Sequence, residues 1–201
     1  EVEIAGVRHQ RRYSLSAAPG SGCVVAITVK RQAGGKVSNW LHDHLRPGDA
    51  LTLDAPAGGF ALPNPLPASL LMLSAGSGIT PLMAMLRTVV GNAARLDLTF
   101  VHIARHPADA IFATELGHLA ASRPLFTLHH HYSEMGGRFD AAALARLVPD
   151  YGERSTLLCG PADFMATFRA HFAAQGLSSQ LSLESFGTPI ASFAANAEHS
   201  A

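Results

Sequence analysis

The sequence predicts a small antiparallel β-barrel followed by an α/β domain with a parallel sheet. The first third of the chain contains short β-type runs separated by Gly- and Pro-rich turns, and the remainder alternates apolar strands with amphipathic helices. Between the two patterns lies LPNPLPA, whose prolines disfavour both helix and sheet. We therefore predict a first domain over residues 1–66, a second over 67–188, and a tail or linker over 189–201.

The first domain is predicted from the runs HQRRYSLS, CVVAITVKR and DALTLDAP, which have the composition of β-strands. One short helix is expected between them, with Ser38 as the N-cap residue before NWLHDHL. The chain starts within what has the pattern of a strand. We therefore expect a fragment of a longer protein, with a barrel that is incomplete at its N-terminus.

The second domain is predicted from an alternation of strands and helices, which favours a parallel sheet with right-handed crossovers. The first helix carries the apolar stripe of a buried face, at Leu82, Met85, Leu86, Val89 and Val90. The predicted strands are residues 69–75, 96–104, 125–132, 155–159 and 180–186, and the predicted helices are residues 81–91, 109–121, 140–147 and 161–175.

Composition limits the possible partners. Lys plus Arg and Asp plus Glu number 15 each, so the chain offers no basic field for nucleic acid. Because no apolar run is long enough to span a membrane, we predict no membrane span and a cytoplasmic protein. Cys23 and Cys159 indicate neither a disulfide framework nor a zinc site. The three consecutive histidines 129–131 alternate between strand faces, so we predict no metal site.

A glycine turn follows the first strand of the second domain, in LLMLSAGSGITPLMAMLRTVV. Thr80 is a suitable N-cap and Pro81 a suitable first helical residue. Gly76 and Gly78 would let an anion approach the backbone at the positive end of the helix, as a pyrophosphate does. The alternative is a tight strand-to-helix turn without a ligand, and the motif by itself leaves both open.

Four other segments carry candidate site residues. They are RRYSLS, KRQAGGKVSNW, LLCGPADFM and LESFGTP. Tyr13 could stack on a flat ring, and Gly34 and Gly35 could form a second anion site before a helix. Cys159 ends the fourth predicted strand of this domain, at the edge where open α/β sheets bind ligands, and Glu184 lies in an apolar strand near the C-terminus. Each segment also has a purely structural interpretation: a strand tyrosine, a hairpin turn, a buried inert cysteine and a solvated glutamate.

Together and in this order, the five segments resemble the ferredoxin–NADP reductase superfamily. RRYSLS resembles its R-x-Y-S flavin motif, ITVKRQAGGKVSNWLHDHL its flavin-phosphate segment, and LSAGSGITPLMAML its nicotinamide-nucleotide turn. LCGPADFM resembles its C-G-P motif, and ESFGTP its C-terminal flavin-side motif. The resemblance covers nearly the whole chain, and it is greatest to the FAD and NAD(P)H-binding reductase modules of bacterial oxygenase reductases and flavohaemoglobins.

The resemblance implies site residues at the matching positions. Catalytic roles are implied for Ser14, Cys159 and Glu184. The implied flavin-side residues are Arg11, Tyr13, Ser14, Val29, Lys30, Lys36, Val37, Ser38 and Phe186. The implied nicotinamide-side residues are Gly76, Ser77, Gly78, Ile79, Thr80, Pro81, Cys159, Gly160 and Pro161. Arg105, after the second strand, could meet a 2′-phosphate and slightly favours NADPH, but it could equally cap the next loop, so NADH stays open.

The resemblance further implies an enzyme that takes hydride from NAD(P)H onto FAD, or less readily FMN, and passes single electrons onward. The implied acceptor is a 2Fe–2S ferredoxin domain or a haem or oxygenase component. Two alternatives remain: the reductase part of a flavohaemoglobin, and a non-catalytic nucleotide-binding regulatory module.

Overall fold

The computed structural model describes residues 1–18, 20, 24–92 and 95–185, without the side chain of Asn92. In the N-terminal region, β1 (Val2–Ile4) pairs antiparallel with β2 (Val7–His9). An isolated antiparallel bridge joins Leu15 to Ile27. Helix α1 (Lys36–His44) follows. The antiparallel character of the first part is thus confirmed.

The N-terminal strands are shorter than the sequence predicts. Within the described residues, the runs that begin at His9 and Val24 are extended and share a single bridge, and the run at 49–56 joins no ladder. Ser16 N–H donates to Ala26 O at 2.8 Å, so two of the segments lie side by side. A β-type composition makes a segment extended, but a strand forms only where a neighbour supplies matching hydrogen bonds.

Helix α1 begins earlier than predicted, because its N-cap is Gly35 and not Ser38. Ser38 lies inside the first turn, is 8% exposed, and directs its hydroxyl at Gly35 O at 3.4 Å. A Cβ on Gly35 would lie 2.9 Å from Gln32 Cβ, so the close turn before the helix excludes a side chain there.

The rest of the chain forms a five-stranded, fully parallel sheet with connecting helices, which confirms the α/β prediction. The elements are β3 (Ser69–Ala75), α2 (Ile79–Asn92), β4 (Asp97–Ala104), α3 (Ala113–Ser122), β5 (Phe126–Tyr132), α4 (Ser133–Gly136), α5 (Ala141–Leu147), β6 (Ser155–Gly160), α6 (Ala162–Ala174) and β7 (Leu181–Ser185). The strand order in the sheet is β5-β4-β3-β6-β7. The longer helices lie where the alternation predicts them, and the short helix α4 is an addition.

The start of α2 differs from the prediction. A 3-10 turn over Gly76–Gly78 runs directly into the helix, which begins at Ile79. Thr80 is therefore not the N-cap. It is 4% exposed, and its hydroxyl donates to Ser77 O at 3.0 Å, within the first turn. The glycines allow the chain to turn before Thr80 is reached, which moves the helix start upstream.

Two apolar layers bury the sheet. One layer packs α2 and α3 against one face, and it includes Leu70, Met72, Leu82, Leu86, Phe100 and Leu116. The other packs α5 and α6 against the opposite face, and it includes Leu71, Leu73, Val101, Leu144, Phe168 and Phe172. Continuous apolar strands are typical of a parallel sheet that helices cover on both sides. No helix in the described ranges has both the length and the apolarity to cross a membrane.

Candidate active site

The candidate site lies at the carboxyl ends of the strands. In the ladder register, Ser74 on β3 is paired with Cys159 on β6, and Cys159 is paired with Glu184 on β7. Neighbouring strands are about 4.8 Å apart, and paired residues point to the same face. Cys159 and Glu184, which belong to different sequence motifs, are therefore direct neighbours on the sheet.

A hydrogen bond connects the N-terminal region to this edge. Ser14 Oγ donates to Glu184 Oε2 at 2.9 Å, across 170 positions of sequence. Both side chains are half-buried, so the contact is partly shielded from water. The three residues predicted to be catalytic, Ser14, Cys159 and Glu184, are thus brought together at one place.

Cys159 is fully buried. Burial raises the pKa of its thiol well above the usual range, and the carboxylate of Glu184 adds to the rise. The thiol therefore stays protonated at physiological pH and is not a thiolate nucleophile.

The glycine turn packs directly against the C-G-P segment. A Cβ on Gly78 would overlap the carbonyl of Cys159 and lie 2.6 Å from Gly160 N. Gly76 has φ +54°, in the left-handed region that favours glycine. Packing of the two segments alone therefore requires Gly78. The same close approach places the glycine turn at the strand ends. The Ile79 N–H donates to Gly76 O and Ser77 O, so the N–H groups at the very start of this helical segment belong to the glycine turn itself.

The other nucleotide-side residues differ in exposure. Ile79 and Pro81 are buried with the start of α2, and Ser77 is half-buried. Gly160 is buried, and a Cβ there would lie 2.7 Å from Phe164 Cδ1. Pro161 is exposed and is the N-cap residue of α6. This edge therefore presents backbone and small side chains, with few polar side chains.

The flavin-side residues in RRYSLS face outward. Arg11 is exposed, and its Nη1 donates to the backbone carbonyl of the preceding residue, Gln10 O, at 2.7 Å. Tyr13 is half-buried, and burial raises the pKa of its hydroxyl while Arg11 opposes the rise. An exposed guanidinium two residues from an aromatic ring fits a ligand that has both a phosphate and a flat ring system.

The second flavin-side segment surrounds the start of α1. Lys36 is exposed, Val37 and Ser38 are buried, and the first-turn N–H groups of the helix are available to an anion. His42 Nε2 lies 2.8 Å from Val29 O, which ties the extended Val29–Lys30 segment to the helix. The side chain of Ser38 is used internally, so any anion contact there would be made by its backbone.

Arg105 lies at the end of β4, where its guanidinium forms a 3.1 Å ion pair with Glu134. The two side chains are 77% and 50% exposed, so water screens the pair. Arg105 is thus engaged by a carboxylate, not by the following loop. Phe186 and the predicted tail at 189–201 lie outside the described residues.

Sequence reasoning missed a polar pair on the same sheet face. His102 is fully buried on β4, and its Nδ1 lies 2.8 Å from Ser74 Oγ. Burial, with His130 and Lys30 nearby, lowers the pKa of His102 to about 3, so the imidazole is neutral. Its Nε2 has no hydrogen-bond partner among the described residues. The sequence did contain a signal for this residue. In the apolar strand LDLTFVHIA, the histidine occupies one of the alternating positions whose side chains point to a buried face of the sheet.

The three consecutive histidines point in different directions. His130 continues the polar face, paired in register with His102, and stacks on Tyr132 with ring centroids 5.9 Å apart. His131 places Nε2 2.8 Å from Gly137 O and packs on Phe139. Over the described ranges, no three potential metal ligands cluster.

Comparison with protein families matches residues 1–62 to an oxidoreductase FAD-binding domain and residues 72–170 to an oxidoreductase NAD-binding domain. The chain is 38% identical over 209 aligned residues to a glycine betaine monooxygenase reductase subunit of Chromohalobacter salexigens, covering 98% of this chain and 57% of that protein. It is 40% identical over 179 residues to an NADPH oxidoreductase of Mycobacterium tuberculosis, covering 88% of this chain and 47% of that protein. The chain spans about half the length of these curated relatives.

A solved structure supports the same assignment. The flavohaemoglobin-like FAD/NAD-binding domain of nitric oxide dioxygenase from Vibrio cholerae is 30% identical and superposes with a TM-score of 0.76, covering 89% of this chain and 77% of that chain. Both halves of the present fold are therefore represented in one known domain pair. The chain belongs to the ferredoxin-reductase-like family of FAD-binding and NAD-binding oxidoreductases.

Proposed function

We propose that this chain is the reductase module of an NAD(P)H-dependent flavoprotein. When bound, FAD would supply the means to take a hydride, which carries two electrons, from the nicotinamide nucleotide and to pass those electrons on one at a time. The protein supplies binding, orientation and electrostatics. In the proposed division, residues 1–66 hold the flavin, residues 67–188 hold the nucleotide, and residues 189–201 are a tail or linker.

The observation that carries the proposal is the contact between Ser14 and Glu184, next to Cys159. Ser14 Oγ donates to Glu184 Oε2 at 2.9 Å, and Glu184 pairs in register with Cys159. Three side chains that the packing of a sheet does not require thus meet at the carboxyl edge, between an FAD-binding and an NAD-binding domain. A hydride can pass only when donor and acceptor are held in contact, and this position suits that requirement.

The remaining residues take binding roles in this proposal. Arg11 and the first turn of α1, with Lys30 and Lys36 near it, bind the flavin phosphates, and Tyr13 packs on the ring system. Ser14 holds a proton at its Oγ beside the flavin, with Glu184 as acceptor. The glycine turn that leads into α2 would hold the nucleotide pyrophosphate, and Cys159 would border the nicotinamide.

We propose NADPH as the preferred coenzyme, with its 2′-phosphate taking the place of Glu134 on Arg105. The guanidinium is 77% exposed and reachable, and the chain resembles a protein named an NADPH oxidoreductase. Glu134 opposes this preference because it already neutralises Arg105, so the selectivity against NADH is modest in this proposal.

The proposed electron acceptor is an iron–sulfur or oxygenase component in the cytoplasm. The likeness to a monooxygenase reductase subunit supports this choice. A second candidate is the reductase part of a flavohaemoglobin, which the likeness to the nitric oxide dioxygenase domain favours. An assay of the full-length protein separates the two, because only a flavohaemoglobin would carry a haem absorption band and consume nitric oxide.

The test is an anaerobic titration of the protein loaded with FAD. After removal of unbound flavin, NADPH and NADH are added in separate experiments while the visible flavin band is followed. Bleaching by one equivalent of coenzyme supports the proposal, and the coenzyme with the tighter titration is the preferred donor. Retained flavin that neither coenzyme bleaches would contradict it and favour a non-catalytic nucleotide-binding module.

A further inference from the structure

Arg87, a half-buried residue of α2, joins three parts of the molecule. Its Nε and Nη2 donate to the two carboxylate oxygens of Glu115 on α3, at 2.8 and 2.6 Å. Its guanidinium carbon lies 4.9 Å from the ring centroid of Phe112, the N-cap residue of α3. Its Nη1 donates to the backbone carbonyl of Ser16, in the N-terminal region. One side chain therefore links two helices of the parallel-sheet region to the flavin-side motif RRYSLS.

The segment that Arg87 holds is itself well anchored. Ser16 is 2% exposed, and its N–H donates to Ala26 O at 2.8 Å. Thr28 Oγ1 donates to Ser16 Oγ at 2.9 Å, so two hydrogen bonds join Ser16 to the neighbouring segment. Arg87 therefore binds one of a hydrogen-bonded pair of segments.

Ser16 lies two residues from Ser14, which makes the hydrogen bond to Glu184. The same short segment is thus attached to the parallel-sheet region at two points, by Arg87 at one end and by Glu184 at the other. Two attachments fix both the distance and the angle of a segment, whereas one leaves it free to pivot.

We propose that Arg87 is a positioning residue that sets the position of the Ser14–Ser16 segment, and with it the flavin, relative to the nucleotide-binding edge. This inference rests on the proposed reductase function. Hydride transfer requires the reacting atoms to lie within about 3–3.5 Å, so a displacement of about 1 Å costs up to ~100-fold in rate. Arg87 makes no contact with the Ser14, Cys159 and Glu184 side chains in the structure, so it acts through Ser16 and is not itself a catalytic residue.

The arginine fork suits this role. Two of its N–H groups occupy a carboxylate, Phe112 lies beneath the guanidinium plane, and a further N–H remains for the Ser16 carbonyl. A lysine ammonium has no planar fork and cannot occupy a carboxylate in bidentate fashion while reaching a carbonyl on another segment. The pair is also partly buried, with 28% and 39% of the two side chains exposed, so it is more than a surface ion pair.

The test compares Arg87→Met, Arg87→Lys and Glu115→Gln with the wild type in the flavin-loaded full-length protein. We expect Arg87→Met to lower the limiting rate of anaerobic flavin reduction ~10- to 100-fold, while the dissociation constants of flavin and coenzyme change less than about threefold. Arg87→Lys should restore part of the rate, and Glu115→Gln should lower it less than Arg87→Met does. Arg138→Met is the matched control, since Arg138 also pairs with a carboxylate, Asp163 at 3.0 Å, but within the parallel-sheet region.

A second readout does not depend on turnover. Hydrogen exchange of the Ser16 amide, which donates to Ala26 O, should become at least about tenfold faster in Arg87→Met and remain unchanged in Arg138→Met. A wild-type limiting rate in Arg87→Met, or unchanged Ser16 exchange, would overturn the inference. If the wild type itself fails to reduce flavin, the proposed function fails, and the exchange measurement still decides whether Arg87 holds the segment. If Arg87→Met does not fold, Glu115→Gln takes its place in both measurements.

Discussion

The two ends of the five-stranded sheet are built in opposite ways. At the amino end, Arg154 is 6% exposed and donates to both oxygens of Asp97 and to Asp150, at 2.8 to 3.1 Å. At the carboxyl end, Ser74 and Cys159 are fully buried, and His102 has a ring nitrogen without a partner among the described residues. The charged side chains at the amino end are paired, whereas the carboxyl end combines buried polar groups with closely packed glycines. We therefore expect loss of the Arg154 charge to lower stability alone, loss of the Glu184 charge to lower activity alone, and a change in the glycine turn to lower both.

The largest effect is expected from Gly78→Ala at the carboxyl end. The added Cβ would overlap the Cys159 carbonyl, and both are backbone-anchored, so the turn and the end of β6 must move apart. We expect a loss of about 3 kcal/mol in the free energy of unfolding and at least ~100-fold in flavin reduction. Chemical denaturation and anaerobic rapid mixing measure the two. Gly91→Ala, with open space in α2, is the control and should be neutral or slightly stabilising.

Glu184→Gln should affect activity without affecting stability. The glutamine keeps the size but removes the charge that Ser14 faces, so we expect the limiting reduction rate to fall ~10- to 100-fold. The free energy of unfolding should change by less than about 1 kcal/mol, since Glu184 is only half-buried. Ser182→Ala, an exposed position on the same strand, is the control. Because Ser14 and Glu184 form one hydrogen bond, the Ser14→Ala/Glu184→Gln double variant should be little worse than either single variant, and additive losses would contradict the pairing.

Arg154→Met should give the opposite result at the amino end. It removes the charged bonds to Asp97 and Asp150 from a nearly buried position, so we expect the free energy of unfolding to fall by about 2 kcal/mol. The two carboxylates stay solvated at 47% and 48% exposure, which limits the loss. The limiting reduction rate should not change. A rate loss comparable to that of Glu184→Gln would show that the two ends are coupled.

The protonation of His102 should be visible in the pH dependence of the free energy of unfolding. Its pKa is about 3 in the folded protein and near 6.5 when unfolded, so between these values the unfolded chain binds a proton that the folded chain does not. The free energy of unfolding should therefore fall as the pH drops below about 6.5, with a contribution of up to ~1.4 kcal/mol per pH unit from this group. His102→Asn should reduce that slope. His129 and His130, whose pKa values burial also lowers, leave a residual slope, so parallel curves for both proteins would contradict the assignment.

The smallest effect is expected at the exposed rim of the carboxyl end. Glu134→Gln frees Arg105 from its ion pair, so the KM for NADPH should fall about threefold while the KM for NADH stays constant. The free energy of unfolding should change by less than about 0.5 kcal/mol because the pair is screened by water. Steady-state kinetics with both coenzymes decides this, and an equal change for the two would rule out a 2′-phosphate contact at Arg105.

The sequence predicted the parallel-sheet region well because its signals are local. Apolar strands alternate with amphipathic helices along the sequence, and the five strands of the sheet lie where that alternation predicts them. Helix starts were less well predicted. Ser38 and Thr80 have the right side chains for capping, but the preceding glycines start each helix earlier, at Lys36 and Ile79. The residue at which a helix starts depends on the geometry of the preceding turn as well as on a side chain that can cap it. Amino-acid composition alone does not show which of the two prevails.

The N-terminal region was predicted less well for a different reason. Strand pairing joins residues distant in sequence, so β-type runs do not by themselves indicate which partners they find. Two pairings show this. Leu15 forms an isolated bridge with Ile27, and β1 pairs with β2 over only three residues each. The roles proposed for Arg11, Tyr13 and Lys36 came from motif resemblance, because no local pattern predicts the long-range arrangement that would bring them to one site.

By itself the sequence determined the succession of strands and helices along the chain, the glycine turn before α2 and the motif residues Ser14, Cys159 and Glu184. It could do so because apolar periodicity and turn chemistry act between near neighbours. Only the tertiary structure decided that Ser14 meets Glu184, that Ser74 pairs with His102, and that Arg87 reaches Ser16. These contacts join positions 28 to 170 residues apart, and they depend on strand order and domain packing, which no local pattern encodes.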